Sequence, residues 1–338
     1  LKKPLIVLLT LIFTIVFLWV NSLQCLAQNA SEQTVPLYAV IQNKLFIVTE
    51  SIMPIGVLPC TVNQRAFGVL PGSKSTEFIY WDSVKQKLFI VDKNLDVIKE
   101  FPMPGSSVWV HADVVLGVSR NWENGFTYSL YQIKNKYNLF GLASWKIDLF
   151  ISDCLITSSG VLLAGGSKDD RFNYVYWCVP GQKPQLLLQV SKEKSFLKII
   201  VAGAGAYIYE SAQTKAKHRL DIYYVPYEKN NYKPAITLSL NSASLPVCWY
   251  GSGFYFDNSL YIPAYDGKET ILATIQAKDT VAAIQKTYNN VYGVYVPVGL
   301  YKNYYWFISY DYYVDPARWS ISYFNIETKQ IVHTVFKF

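Results

Sequence analysis

Histidine and clustered charge are both scarce in this sequence. Three histidines occur among 338 residues, His111, His218 and His333, and none lies at ligand spacing from a second histidine or a cysteine. A local histidine-based zinc motif is thereby excluded. Charged residues make up 16% of the chain, and no Lys/Arg cluster outruns the short segments 192–194 and 215–219. The formal charge of +7 is spread thinly, so nucleic acid is not an expected partner. There is no G-x-S-x-G elbow, no P-loop and no CxxC pair. No metal and no cofactor are expected from this inventory.

A long linker is missing too: no extended Pro/Gly/Ser stretch divides the chain, and helical spacing is hard to find beyond the first 27 residues. Aromatic residues reach 16% and the mean hydropathy is +0.14, which argues for a folded core and against disorder.

The N-terminus opens LKKPLIVLLTLIFTIVFLWVNSLQCLAQ, with Lys2 and Lys3 ahead of an apolar run from Leu5 to Val20 and then Cys25-Leu26-Ala27. Small residues at the first and third positions before a cut form a signal-peptidase site. Residues 1–27 are therefore expected to be a signal peptide, and 28–338 a single secreted or periplasmic domain. The alternatives are an uncleaved membrane anchor, for which a run of about sixteen residues is short, and lipid attachment at Cys25. Four cysteines remain after cleavage, Cys60, Cys154, Cys178 and Cys248. Export permits disulfides, but unpaired, buried thiols are the expectation.

What the sequence has in abundance is a repeated strand pattern. KLFIV occurs at Lys44–Val48 and again at Lys87–Val91, 43 residues on. The flanks agree as well, PLYAVIQN and EFIYWDSVKQ before, IMPIGVLP and VIKEFPMP after. Five further hairpins of apolar strand, polar turn and apolar strand follow at spacings of roughly 40 to 50 residues, the period of propeller blades. Two more β-rich runs precede most of them, for example SSVWVHAD and VVLGVSR. Four strands per unit describe an antiparallel blade. The expected fold is all-β, a propeller of about seven four-stranded blades, with six or eight as the neighbouring counts. The first unit shows three strands only, Leu37–Ile41, Lys44–Val48 and roughly Ile55–Val62, so its innermost strand must come from 28–36 or be missing.

Over nearly all of its length after residue 27 the chain resembles a secreted β-propeller, without the signature of a particular propeller family. The segment GVLLAGGSKDDRFNYVYW (160–177) is similar to a kelch repeat, with Gly165-Gly166 after an apolar strand and then Tyr174 and Trp177.

Chemistry is sparse. Trp109, His111 and Asp113 in VWVHADVV stand two apart, which on a strand places them on one face. An imidazole and a carboxylate are then able to reach a central channel together. A calcium loop fails at Asp92, Asn94 and Asp96, since the expected glycine is Val97 and the closing acid falls at Met103; a hairpin turn explains these residues. In YKNYYWFISYDYY (301–313), both strand faces are aromatic at its centre, which predicts packing between blades. Asp311 and Tyr313 at its far end keep a claim on ligand binding. The expected function is that of an exported, non-catalytic binding module for a protein or glycan. The alternative is a carbohydrate-active enzyme, a glycosidase or lyase, which needs paired acids.

Overall fold

A computed structural model describes residues 35–71, 76–121, 125–134, 137–167, 171–191, 196–203, 205–213, 218–226, 237–242, 248–249, 253–265, 270–276, 284–291, 294–311 and 318–336. The expected signal segment, 1–27, lies outside the described residues. Seven antiparallel sheets follow one another along the chain, six of them built from strands adjacent in sequence; in the sixth, Cys248–Trp249 and Phe254–Phe256 both pair with Ser259–Tyr265. They are the blades of a seven-bladed propeller, at 37–57, 67–102, 107–147, 150–191, 196–242, 248–291 and 294–336.

The two KLFIV copies occupy equivalent strands, each directly inside the outermost strand of its blade. Blade two has two strands inside its copy, blade one a single strand, Leu37–Ile41. Among the described residues blade one thus lacks an innermost strand. Its outer strand, Ile52–Val57, begins three residues before the predicted Ile55. Pro54 is accommodated there because the partner register shifts at Phe46 and an outermost strand does not need every N–H.

The core is divided into slabs between neighbouring blades. All five residues of Phe78–Asp82 are buried, and alternation splits them. Phe78 and Tyr80 join Val40 and Leu45 of blade one, while Ile79 and Trp81 join Val108 and Val115 of blade three. A sheet covered on both faces is apolar on both, so period-two patterning fades in the middle of such strands.

The tyrosine-rich strand Tyr304–Asp311 obeys the same rule. Trp306 and Ile308 pack into the cluster with Ala39, Ile41 and Phe46 of blade one, and Phe307 packs with Phe254 and Tyr261 of blade six. The aromatic density of 301–313 is therefore mostly blade packing, as its two apolar faces predict. It also closes the ring, since blades seven and one meet through these side chains and not through a shared sheet. The Lys302–Glu50 ion pair at 2.5 Å spans the same seam.

The free inner edge of blade one is not left open. Gln64, in the short 3-10 turn Gln64–Ala66, lays its side-chain amide along Leu37–Ile41. Its Oε1 accepts from the Val40 N–H at 2.6 Å and its Nε2 donates to the Tyr38 carbonyl at 3.0 Å. One side chain thereby makes the two hydrogen bonds that a neighbouring strand would make there, which matters because unpaired edge groups template unwanted pairing.

Cys60, Cys154 and Cys178 are unpaired thiols, as expected, but of the three only Cys178 is buried, Cys60 and Cys154 being half-buried; the Cys248 side chain is outside the described residues. Burial, with Asp82 adding to it, pushes Cys60 up to about 11. Burial alone pushes Cys178 up to about 12. Thiols held in the protonated form are poor nucleophiles.

Candidate functional site

The first strands of blades two to seven turn an edge toward the ring axis. With Gln64 and Arg65 standing where blade one has no inner strand among the described residues, they enclose a cavity of about 460 Å³. Aromatic rings form much of its wall, among them Phe67, Trp109, Phe254, Tyr255 and Tyr305. Tyr305 stacks on Phe254 with ring centroids 3.7 Å apart, and burial raises its phenol above the ordinary range.

One wall carries charge, and a β-bulge puts it there. In the inner strand of blade four, Phe150–Ile156, Ile151 pairs with Gly165 and Asp153 with Ala164, leaving Ser152 as the extra residue. Such an insertion bends a strand and re-aims its side chains. The glycine makes room for it: a Cβ on Gly165 would lie 1.9 Å from the Phe150 carbonyl oxygen. The kelch-like Gly165 of the sequence thus serves the bulge.

Two cations, Arg65 and Lys198, converge on Ser152 and Asp153. The Ser152 carbonyl accepts from Arg65 Nη1 at 3.3 Å and from Lys198 Nζ at 3.4 Å. The Asp153 carboxylate accepts from the Cys154 N–H at 3.1 Å and the Ile199 N–H at 3.0 Å, and pairs with Arg65 Nη2 at 3.3 Å. Its side chain is 7% exposed, that of Arg65 27%. Burial lowers the Lys198 ammonium from its ordinary range, with Asp153 opposing the shift and Arg65 adding to it.

Arg65 reaches this wall from the turn between blades one and two, so the contact crosses the channel. The same turn lines the inner edge of Leu37–Ile41 with Gln64 and bridges to blade four with Arg65. Asn63 caps the turn, its Oδ1 accepting from the Arg65 N–H at 3.0 Å.

Of the residues singled out in the sequence, Trp109 and His111 line the cavity. His111 is exposed, and the Trp109 indole N–H is buried without a hydrogen-bond partner. Asp113 does not join them. The strand ends at His111, Ala112 takes a left-handed φ of 52°, and alternation stops before Asp113 is reached. Its carboxylate instead accepts from Gln132 Nε2 at 2.9 Å.

Asp311 ends its strand opposite Arg318, with a side chain outside the described residues, and Tyr313 lies outside them altogether. Asp92 organises a turn, accepting from the N–H groups of Asn94 and Asp96. Among the described residues no group of three potential metal ligands exists.

Sequence reading missed Arg65, Asp153 and Lys198. Two of them had a signal. In FISDCLI and FLKIIVA a single charge interrupts an apolar strand, and a charge in that position needs a partner once buried. Arg65 stands in a polar turn and carries no such mark.

No protein-family model matches the chain, and no curated protein matches it. Solved structures do match in fold. A candidate 6-phosphogluconolactonase from Bacteroides uniformis superposes with a TM-score of 0.54 at 11% identity, covering 88% of this chain and 95% of its own. Another, from Bacteroides fragilis, gives 0.56 at 10%, covering 91% and 96%. Hydrazine synthase from Kuenenia stuttgartiensis gives 0.55 at 8%, covering 91% and 93%. Identity this low carries the architecture alone: the chain is a seven-bladed β-propeller, a scaffold that hosts unrelated functions.

Proposed function

We propose that this chain is an exported binding propeller whose axial cavity receives a segment of a glycan. The observation that supports this most is the cavity wall: aromatic rings supply apolar faces, and a few polar groups converge among them, the usual make-up of a small-molecule seat. Trp109 and His111 are the proposed ligand contacts. Among the described residues lining the cavity Asp153 is the only carboxylate, and its oxygens already accept two backbone N–H groups and Arg65. A glycosidase needs two carboxyl groups, one free to protonate and one to attack or activate water.

The test is a glycan array probed with the wild-type chain and with Trp109→Ala. Binding that falls at least about tenfold in the variant, a loss of roughly 1.4 kcal/mol, supports the cavity as the seat. Equal signals in both chains remove it.

A second reading, an enzyme acting on a sugar derivative, has the exposed His111 imidazole in the cavity in its favour, together with the two Bacteroides fold neighbours described as candidate sugar lactonases. Turnover of a sugar lactone that is lost in His111→Ala would favour it over simple binding.

A further inference from the structure

The charges around the cavity do not balance, and the imbalance has a location. Among the described residues at this wall, Arg65 and Lys198 are two cations against one acid, Asp153. Lys198 lies beside Asp153 on the adjoining blade, half-buried, its ammonium on the Ser152 carbonyl. Charges withdrawn from water must be compensated nearby, and Asp153 serves both cations, paired with Arg65 at 3.3 Å and acting on Lys198 electrostatically. The three groups together carry one surplus positive charge, and of the two cations Arg65 is the one that lines the cavity.

Arg65 is also the loosest member. A guanidinium has five N–H donors in a planar fork. Its two contacts here, to the Ser152 carbonyl and to Asp153, are both at 3.3 Å, longer than charge-assisted bonds of about 2.7–2.9 Å. Asp153 accepts two backbone N–H groups at 3.0 and 3.1 Å, so its carboxylate is held in place without Arg65. The guanidinium, more exposed than its partner, lines the cavity beside an aromatic wall.

We infer that the cavity selects an acidic sugar, one whose ring lies against the aromatic wall while its anionic group docks on Arg65. This rests on the reading of the cavity as a glycan seat and adds the charge of the ligand to it. A planar carboxylate matches the guanidinium fork with two parallel hydrogen bonds; a phosphate satisfies the same donors. Asp153 and Lys198 act as positioning residues, holding the wall against which Arg65 rests.

Isothermal titration of the full chain after residue 27 with matched panels tests this. One panel holds methyl glycosides of glucuronate, galacturonate and mannuronate, the second the corresponding neutral hexosides, the third the hexoside 6-phosphates. The expected result is that at least one acidic panel binds about tenfold or more above its neutral counterpart, and that Arg65→Gln erases this ratio while neutral binding persists. Arg65→Lys, which keeps the charge without the fork, should retain part of the preference for phosphate and lose most of that for carboxylate. Whichever acidic panel leads identifies the anionic group.

Equal binding of acidic and neutral sugars by the wild type, or a preference that survives Arg65→Gln in a variant with unchanged circular dichroism, overturns the charge inference and leaves the seat standing. Absence of binding in all three panels overturns both.

Discussion

Asp153→Ala is expected to lower the unfolding free energy by about 3–5 kcal/mol, the cost of stripping one partner from a buried ion pair. The carboxylate is 7% exposed and holds Arg65 and the N–H groups of Cys154 and Ile199. Without it Lys198 keeps a half-buried charge with no opposing one, and two inner-strand N–H groups lose an acceptor, each a loss of about 1–3 kcal/mol if nothing replaces it. Urea denaturation monitored by tryptophan fluorescence reads the midpoint. Adding Lys198→Met should return part of the stability, since it removes the half-buried ammonium whose charge Asp153 offsets electrostatically. A single-variant loss below about 1 kcal/mol, the range of exposed pairs, would mean that water reaches these groups and that the pair is a surface feature.

Gly165→Ala is expected to cost about 3 kcal/mol, at the upper end for overpacking, because the added methyl meets backbone and not a side chain able to rotate away. Its Cβ would stand 1.9 Å from the Phe150 carbonyl oxygen and 2.9 Å from the Ile151 Cα. Relief requires the inner strand of blade four to move, and with it the bulge that aims Asp153. The amide of Ile199, bonded to Asp153, should therefore exchange with solvent faster in the variant. Gly141→Ala is the control: no atom lies within 4 Å of its Cβ position, and its stability should stay within about 0.5 kcal/mol. Equal effects at the two positions would show that chain entropy, and not the bulge, governs Gly165.

The architecture was legible because blades repeat. A pentapeptide recurring at 43 residues and seven hairpins of similar spacing identify radial repetition whatever the side chains do. The three strands of the first unit were visible as well, because LYAVI aligns with FIYWD; the segment 28–34, from which a fourth was expected if present, lies outside the described residues. The cavity was much less legible. Its walls come from strands that lie far apart in the sequence, so Arg65 and Asp153 share no local pattern, and their pairing depends on a one-residue bulge that a strand sequence does not announce. Trp109 and His111 were found through alternation along one strand. Asp113 was misplaced by the same rule, applied two residues beyond the strand's end.

Among the described residues, the turn at Gln64 and Arg65 stands in place of one inner strand, and this has a consequence for symmetry. A ring of seven like blades presents a guest with seven nearly equivalent orientations about its axis, and binding in such a ring specifies depth better than rotation. Here six directions present strand edges and the seventh presents an amide and a guanidinium. The axis is thereby marked at one angle, and a guest with a distinct head and tail has one rotational setting in which its head faces that mark.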